Sequence, residues 1–311
     1  MNMQPPVFVK QIIKPLNQRV HKKQRGQLLI VVGSKHMPGA GLLTVRAALR
    51  TGAGLVTVAY PAGLATVYRQ RVLEVLHLML PQTKEGTLAL RGYAALKKSA
   101  ATADAVAVGP GLTRNPATAS LVVRLTKGAA KPLIIDADGL NALADSGKVT
   151  AVLRSRKALV TILTPHAGEM ARLTGLSVAA INKDKKRFAL AYARRWRSIV
   201  VLKGYQTVVA SPAGQVVVNQ TGGPFLATAG SGDVLTGMAA TLVAQNPDQP
   251  FEATATAVYL HGLAGEAASR TVGELSVIAS DLIVALPTVL TNVAAKGKIG
   301  HSMRGAKRPV F

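Results

Sequence analysis

Short apolar runs alternate with segments of helical periodicity through the first two thirds of the chain. The apolar runs are Leu28–Val32, Leu55–Tyr60, Ala105–Val108, Leu133–Ile135, Leu159–Leu163 and Ile199–Leu202. Between them, segments such as Gly41–Arg50 place apolar side chains at helical spacing. This alternation predicts βα units around a largely parallel sheet. Most runs are followed directly by Gly, Pro or Asp, at strand ends where ligands bind in such sheets.

The last third of the chain follows a different pattern. Thr207–Ala210 and Gln215–Asn219 predict a hairpin closed by a glycine-containing loop. Three helices are predicted after it, beginning at Asp233 and covering Glu252–Ser269 and Ala279–Ala294. Pro287 is a candidate interruption of the last helix. We expect one domain over residues 19–295, an N-terminal extension of residues 1–18 and a basic C-terminal tail of residues 296–311.

Composition narrows the chemistry and the location. The 311 residues include no cysteine, which excludes disulfides, thiolate zinc sites and a cysteine nucleophile. The N-terminus lacks the apolar run of a signal peptide. The most apolar stretch, Val277–Leu286, is too short to span a bilayer and contains Asp281. We therefore expect a soluble, cytoplasmic protein without a membrane partner.

The chain is strongly basic, with a formal net charge of +24 from 38 Lys and Arg against 14 Asp and Glu. Nucleic acid, an anionic membrane or a polyanionic small substrate would each suit such a charge. The basic residues are dispersed and aromatic residues make up only 4% of the chain, which does not favour a nucleic-acid interface. A solvated basic surface is the preferred interpretation. A nucleic-acid-binding protein that kept an inactive enzyme fold is the rival from another class.

The segment TGGPFLATAGSGDVLTG, residues 221–237, is the main candidate for chemistry. It places five glycines around Asp233, where a predicted helix begins. Backbone N–H groups at Gly230, Ser231 and Gly232 and the helix N-terminus would form an anion hole for a phosphoryl group. Asp233 could then take a proton from an attacking hydroxyl. Asp233 as a simple helix cap is the alternative, but capping does not require the glycines.

Two further strand ends carry candidate ligand contacts. Lys203 and Thr207, in the segment KGYQT, could hold phosphate or ribose oxygens, although a plain turn explains them as well. In TPHAGE, Thr164 is the predicted N-cap and Pro165 the first helical residue. His166 could bind a substrate amide or hydroxyl, or simply lie in solvent.

The remaining strand ends leave their alternatives open. Asp136 and Asp138 could bind Mg²⁺ through water or cap the following helix. Gly111 permits close backbone approach to a ligand, or only forms a tight turn. Ala40 ends a glycine-rich loop and is small enough to let a flat ring pack against the backbone.

Together these segments resemble the ADP/ATP-dependent NAD(P)H-hydrate dehydratases of the ribokinase-like superfamily. The resemblance covers roughly Arg19 to Pro287. It rests on GSKHMPGAGLLTVRAALRTGAGLVTVAYP, VGPGL, IIDADGLNAL, TPHAGEMARL, VVLKGYQTVV, NQTGGPFLATAGSGDVLTG and IASDLIVALP. It implies a three-layer α/β/α sandwich with a mostly parallel central sheet.

The resemblance also implies a reaction. ATP or ADP would phosphorylate the hydroxyl of the S-epimer of NADH or NADPH hydrate, and loss of phosphate would restore NAD(P)H, leaving ADP or AMP. Mg²⁺ would travel on the nucleotide phosphates, with no metal held by protein residues. A homo-oligomer is expected, often a tetramer in the family. The epimerase domain often fused N-terminally in bacteria is not represented, so only the dehydration step is expected.

Residue roles follow from the same resemblance. The catalytic residue is Asp233. The hydrate would contact Ala40, Gly111, His166 and Asp233. The adenine nucleotide would contact Lys203, Gly204, Tyr205, Gln206, Thr207, Gly230, Ser231 and Gly232. A kinase of the same superfamily, acting on a vitamin-precursor alcohol of hydroxymethylpyrimidine or thiazole type, is the alternative enzyme. The TPHAGE, KGYQT and NQTGG segments favour the dehydratase.

Overall fold

The computed structural model describes residues 5–15, 18–156 and 160–302. Its central feature is a sheet of nine strands in the order β3-β2-β1-β4-β5-β6-β7-β8-β9. The strands are β1 (Gln27–Val31), β2 (Leu55–Pro61), β3 (Leu76–Leu80), β4 (Ala105–Val108), β5 (Leu133–Ile135), β6 (Thr161–Leu163), β7 (Ile199–Leu202), β8 (Val208–Ala210) and β9 (Val216–Val218). All neighbouring pairs from β3 to β7 are parallel, and β8 and β9 add antiparallel strands at one edge.

Helices cover both faces of this sheet. They are α1 (Val7–Ile12), α2 (Pro38–Thr51), α3 (Ala65–Arg71), α4 (Tyr93–Thr102), α5 (Pro116–Gly128), α6 (Asp138–Asp145), α7 (Val149–Arg154), α8 (Ala167–Thr174), α9 (Val178–Lys183), α10 (Lys185–Trp196), α11 (Ser231–Gln245), α12 (Pro250–Val272) and α13 (Ala279–Ser302). The first three and last three helices bury their apolar side chains in one core, and α4 to α10 bury theirs in a second core.

The alternation of side chains along β1 explains the two cores. Leu28 and Ile30 point into one, while Leu29 and Val31 point into the other. A strand buried on both faces is a continuous apolar run, which is the pattern seen in the sequence. The predicted α/β/α sandwich with a mostly parallel sheet is therefore confirmed.

The predicted elements differ from the structure in a few places. The predicted interruption at Pro287 is wrong, because α13 continues through it. Leu282, Leu286 and Val289 are buried on this helix, and their burial outweighs the roughly 3 kcal/mol that an internal proline costs. The edge strand β3 was not predicted. Residue 159, the start of one predicted strand, lies outside the described residues.

Helical structure extends beyond both predicted domain boundaries. Val9 and Ile12 of α1 are buried in the core formed with α12 and α13, although they precede residue 19. At the other end, α13 continues past residue 295 to Ser302. Residues 303–311 of the predicted tail lie outside the described residues. The boundaries themselves stay predictions.

None of the helices in the described ranges combines the length and apolar character needed to cross a bilayer. The cytoplasmic location itself stays a prediction.

A buried arginine joins the amino ends of two central strands. The Arg156 side chain is 2% exposed and donates to the carbonyl oxygens of Thr126, Ala129, Lys131 and Val160 at 2.6 to 3.3 Å. Its Nε also donates to the Thr161 hydroxyl at 2.7 Å. Burial lowers the pKa of the guanidinium to about 10, so it remains charged at neutral pH.

Replacing this guanidinium should destabilise the fold without touching the site. We expect Arg156→Met to lower the free energy of unfolding by about 3 kcal/mol, because several buried carbonyl groups lose their donor. Urea denaturation of the variant measures the effect. Arg154→Met is the matched control, since Arg154 is exposed on the same segment and its loss should cost less than about 0.5 kcal/mol. Equal costs for the two variants would contradict the structural role of Arg156.

Candidate active site

The loops that carry the predicted site residues meet at one edge of the sheet. They follow β1, β4, β5, β6 and β7, whose carboxyl ends all lie at this edge because the strands are parallel. The N-terminus of α11 reaches the same place, where Thr236 contacts the loop after β5. The parallel sheet therefore brings together segments that are far apart in sequence.

Asp136 is the centre of the polar network at this edge. Its side chain is 1% exposed, and Oδ1 accepts hydrogen bonds from Thr164 Oγ1 and Lys203 Nζ, both at 2.7 Å. Oδ2 accepts from Thr236 Oγ1 at 2.8 Å. Three donors from three different elements satisfy both carboxylate oxygens. Asp136 is thus not the cap of the following helix, whose N-cap position is Ala137, and its carboxylate holds this network together.

Asp138 lies two residues further along the chain, and its carboxylate binds the loop after β4 instead. It accepts the backbone N–H of Thr113 at 2.8 Å and the side-chain amide of Asn141 at 3.1 Å. The residue between the two carboxylates, Ala137, has φ 47°, a left-handed conformation that costs a residue with a Cβ about 1–3 kcal/mol. This turn points the two carboxylates at different partners, which neither of the alternatives drawn from the sequence anticipated.

Lys203 extends from Asp136 towards the start of α11. A Cβ atom on Gly232 would lie 3.3 Å from Lys203 Nζ, so the ammonium closely approaches the glycine backbone. Burial alone would lower the pKa of Lys203, but the charges of Asp136 and Glu169 raise it above the usual value. The ammonium therefore stays protonated beside the helix N-terminus.

The start of α11 provides free backbone donors. Gly230 precedes it with φ 85°, which glycine adopts without strain. The N–H of Ser231 donates to the Thr228 carbonyl, whereas no acceptor among the described residues receives the N–H of Gly232 or Asp233. These two donors, the helix dipole and the Lys203 ammonium form a site suited to an anion.

The Ser231 side chain faces the interior instead. His261 Nε2 lies 2.9 Å from the Ser231 carbonyl oxygen and 3.2 Å from its hydroxyl oxygen. Because a carbonyl only accepts, Nε2 carries a proton. Burial lowers the pKa of His261 to about 4, so the ring is neutral. His261 therefore supports the first turn of α11 from the interior, and the N–H, carbonyl and hydroxyl of Ser231 all have partners within the protein.

Asp233 lies in this first turn and has an altered acidity. Burial, followed by the negative charge of Asp136, raises the pKa of its carboxyl to about 7, while Lys203 acts in the opposite direction. A carboxyl with a pKa near 7 is matched to proton transfer at neutral pH.

Ala40, in the first turn of α2, lies next to the loop after β4 that carries Gly111. Gly111 has φ 69°, and a Cβ there would lie 2.6 Å from the Met37 carbonyl oxygen and 3.0 Å from Ala40 Cβ. The structure therefore places these two predicted substrate contacts against each other. Tyr68, buried beneath this loop, donates its hydroxyl to the Pro38 carbonyl at 3.2 Å. Its phenol oxygen also fills the space where a Cβ on Gly33 would lie.

His166 is the N-cap of α8, a role the sequence analysis gave to Thr164. That prediction is wrong, because the helix begins at Ala167 and the Thr164 hydroxyl binds Asp136 instead. His166 Nδ1 accepts the N–H groups of Gly168 and Glu169 at 3.0 and 3.3 Å. Its Nε2 lies 3.5 Å from Glu169, and the side chain is 57% exposed. Capping explains His166 fully, and substrate contact stays a prediction.

The segment Lys203 to Thr207 forms a turn between β7 and β8. Tyr205 is 88% exposed, and the Thr207 hydroxyl donates to the Gly204 carbonyl at 3.0 Å. Nucleotide contact by Gly204, Tyr205, Gln206 and Thr207 stays a prediction. Residues 204–206 of this turn are exposed to solvent and directly follow Lys203.

Sequence reasoning missed several residues that shape this site. They are Thr164, whose hydroxyl donates to Asp136, and Thr236, Glu169, His261 and Tyr68. A weak signal existed for Thr236, which follows the glycine turn by one helical turn. His261 and Tyr68 act through contacts with residues 30 positions away, which a linear pattern does not show.

Comparisons with known proteins agree with this geometry. Residues 28–288 match the NAD(P)H-hydrate dehydratase family. An ADP-dependent (S)-NAD(P)H-hydrate dehydratase of Xanthomonas campestris is 36% identical over 86% of this chain and 89% of its own. A bifunctional NAD(P)H-hydrate repair enzyme of Moorella thermoacetica is 45% identical over 88% of this chain. The chain spans about half the length of the bifunctional relatives that it matches.

Solved structures show the same fold. A Bacillus subtilis ADP/ATP-dependent NAD(P)H-hydrate dehydratase, co-crystallized with ATP/Mg²⁺, aligns with a TM-score of 0.79 and 30% identity over 94% of this chain and 99% of that one. A ribokinase-like superfamily protein from Enterococcus faecalis aligns with a TM-score of 0.77 at 24% identity over 92% of this chain and 94% of that one. The fold is thus ribokinase-like, and the chain belongs to the NAD(P)H-hydrate dehydratase family.

Proposed function

We propose that this chain uses ADP or ATP to dehydrate the S-epimer of NADH or NADPH hydrate, restoring NAD(P)H. The observation that carries the proposal is Asp233, a carboxyl with a pKa of about 7 in the first turn of α11. It adjoins two free N–H groups and the Lys203 ammonium. A base and an anion site in contact are what phosphoryl transfer to a hydroxyl requires.

The proposed reaction has two steps. Asp233 takes the proton of the hydrate hydroxyl as its oxygen bonds to the terminal phosphorus, and the bond from that phosphorus to the departing ADP or AMP breaks. The carbon–oxygen bond of the resulting ester then breaks, phosphate leaves, and a proton is lost from the adjacent ring carbon to restore the double bond. The N–H groups of Gly232 and Asp233 and the ammonium of Lys203 stabilise the charge on the transferred group.

The substrates would lie on opposite sides of Asp233. The nucleotide would follow the turn from Lys203 to Thr207 and end at Gly232, where Gly230 would contribute backbone only and Ser231 would shape the turn. The hydrate would contact Ala40, Gly111 and His166. The family relationship, the approach of Lys203 to Gly232 and the approach of Gly111 to Ala40 support this arrangement. Its substrates carry several phosphates, which suits a net charge of +24.

Magnesium enters this proposal with the nucleotide. Both oxygens of Asp136 are already bound, and the described residues contain no cluster of three or more His, Asp or Glu side chains that could hold a metal ion. The residues present therefore do not form a resident Mg²⁺ site. The expected Mg²⁺ would enter as part of the MgATP or MgADP substrate, and none of the steps above depends on it.

A repair assay tests the function. Purified protein is incubated with NADH hydrate or NADPH hydrate and with ATP or ADP, and recovery of the reduced nicotinamide absorbance is followed. We expect recovery only when hydrate and nucleotide are both present. Four substrate pairs also establish the preferred donor and hydrate.

The same assay distinguishes the alternatives. Failure to restore NADH, together with phosphorylation of a hydroxymethylpyrimidine or thiazole alcohol, would establish a kinase instead. Failure of both reactions, with salt-dependent nucleic-acid binding that survives Asp233→Ala, would favour the inactive-enzyme alternative. Oligomeric state, for which a homo-oligomer is proposed, is measured separately by light scattering.

A further inference from the structure

The turn from Lys203 to Thr207 has a backbone shape that depends on support from another helix. Gly204 has φ 129° and Gln206 has φ 52°, so two of its residues lie in the left-handed region. For Gln206, which carries a Cβ, this conformation costs about 1–3 kcal/mol. Such a conformation persists only when neighbouring groups hold it in place.

Lys185, the first residue of α10, supplies that support. Its Nζ donates to the Tyr205 carbonyl at 2.7 Å and to the Gln206 carbonyl at 3.3 Å. A Cβ on Gly204 would lie 3.3 Å from the same nitrogen. The side chain is partly buried, and burial lowers the pKa of its ammonium. Lys185 therefore spans the outer side of the turn.

These two hydrogen bonds also fix the direction of two N–H groups. In a trans peptide the C=O and N–H of one unit point in opposite directions. Drawing the carbonyls of Tyr205 and Gln206 towards Lys185 thus turns the N–H groups of Gln206 and Thr207 to the opposite side. Within the described ranges, no acceptor receives the Gln206 N–H, whereas the Thr207 N–H points towards the Gly204 carbonyl that also accepts the Thr207 hydroxyl. The Gln206 N–H is therefore a free donor on a solvent-accessible turn, where an anion can accept it.

We propose that Lys185 is a positioning residue of the nucleotide site. It holds the turn so that the N–H group of Gln206 faces the bound nucleotide, where a phosphate or ribose oxygen accepts it. The inference rests on the proposed function, because that function places the nucleotide along this turn. It adds a residue from α10 that need not touch the nucleotide.

Two variants that remove the same charge test this role. Lys185→Met removes the two donated bonds, whereas Lys186→Met removes the charge of an exposed neighbour. Calorimetry with ADP and with ATP should show at least about tenfold weaker binding for Lys185→Met, equivalent to about 1.4 kcal/mol. Lys186→Met should bind within about twofold of wild type. In turnover, KM for the nucleotide should rise while KM for the hydrate stays unchanged.

A conservative variant distinguishes loss of the Lys185 hydrogen bonds from a general loss of folding. Lys185→Arg keeps donors at this position, so its nucleotide affinity should lie closer to wild type than that of Lys185→Met, with both variants showing cooperative thermal unfolding. Equal weakening in Lys185→Met and Lys186→Met, or unchanged affinity in Lys185→Met, would overturn the positioning role alone. A wild-type protein that binds neither ADP nor ATP would overturn the proposed function itself.

Discussion

Asp233→Asn should abolish repair while making the protein more stable above neutral pH. Loss of the general base is expected to reduce turnover by about 10²–10⁴-fold. Nucleotide affinity should remain within a few-fold, because the N–H groups at the start of α11 are unchanged. Initial rates and calorimetry on the same preparation measure the two effects.

The gain in stability follows from the acidity of Asp233. Its pKa rises from 3.8 to about 7 on folding. Ionisation therefore destabilises the folded state progressively as pH rises from about 4 to 7, and the cost is constant above that range. Asn resembles the neutral carboxyl, so the variant should be more stable by about 4 kcal/mol at pH 8 and by less than about 1 kcal/mol at pH 4.

Asp248→Asn is the matched control for this experiment. Asp248 is exposed, so its replacement should change neither turnover nor the pH dependence of stability. If Asp233→Asn kept turnover within a few-fold of wild type, Asp233 would not be the base. If its stability advantage were the same at pH 4 and pH 8, the raised pKa would be contradicted.

The pair of Lys203 and Asp136 should give the second large effect. Lys203→Met leaves the Asp136 carboxylate, which is 1% exposed, without its cation. We expect a loss of about 3 kcal/mol in the free energy of unfolding and a loss of turnover. Urea denaturation and the repair assay measure the two quantities.

The double variant Asp136→Asn with Lys203→Met distinguishes stability from catalysis. With both charges removed, much of the stability should return, since one of the Thr164 and Thr236 hydroxyls can still donate to the Asn oxygen while the other accepts from the Asn amide. Turnover should stay low, because the cation beside Gly232 is gone. Additive losses in the double variant would show that the two charges do not stabilise each other.

The sequence predicted the fold and part of the site for a clear physical reason. Strands buried on both faces produce continuous apolar runs, so the parallel sheet was visible in the pattern. Parallel strands end at one edge, so Lys203 and Gly111 were expected to lie at the same edge of the sheet. The structure brings Lys203 Nζ to Gly232 and Gly111 to Ala40. Only the roles assigned to these residues stay predictions.

Other features depended on details that no pattern contains. The choice between Thr164 and His166 as N-cap turned on a shift of two residues at a helix boundary, which periodicity does not resolve. The role of Asp136 depends on donors from three separate elements, and the side-chain contact of Ser231 depends on a histidine in α12. Tertiary packing alone determines such contacts.

The sequence separation between Asp136 and its partners also determines when this site can form during folding. They lie 28, 67 and 100 residues further along the chain, at Thr164, Lys203 and Thr236. Each contact closes a long loop, with an entropic cost that only nearly complete packing offsets. A partly folded chain therefore lacks the assembled Asp136 network. Recovery of turnover on refolding should thus follow the packing of β5, β6, β7 and α11 against one another.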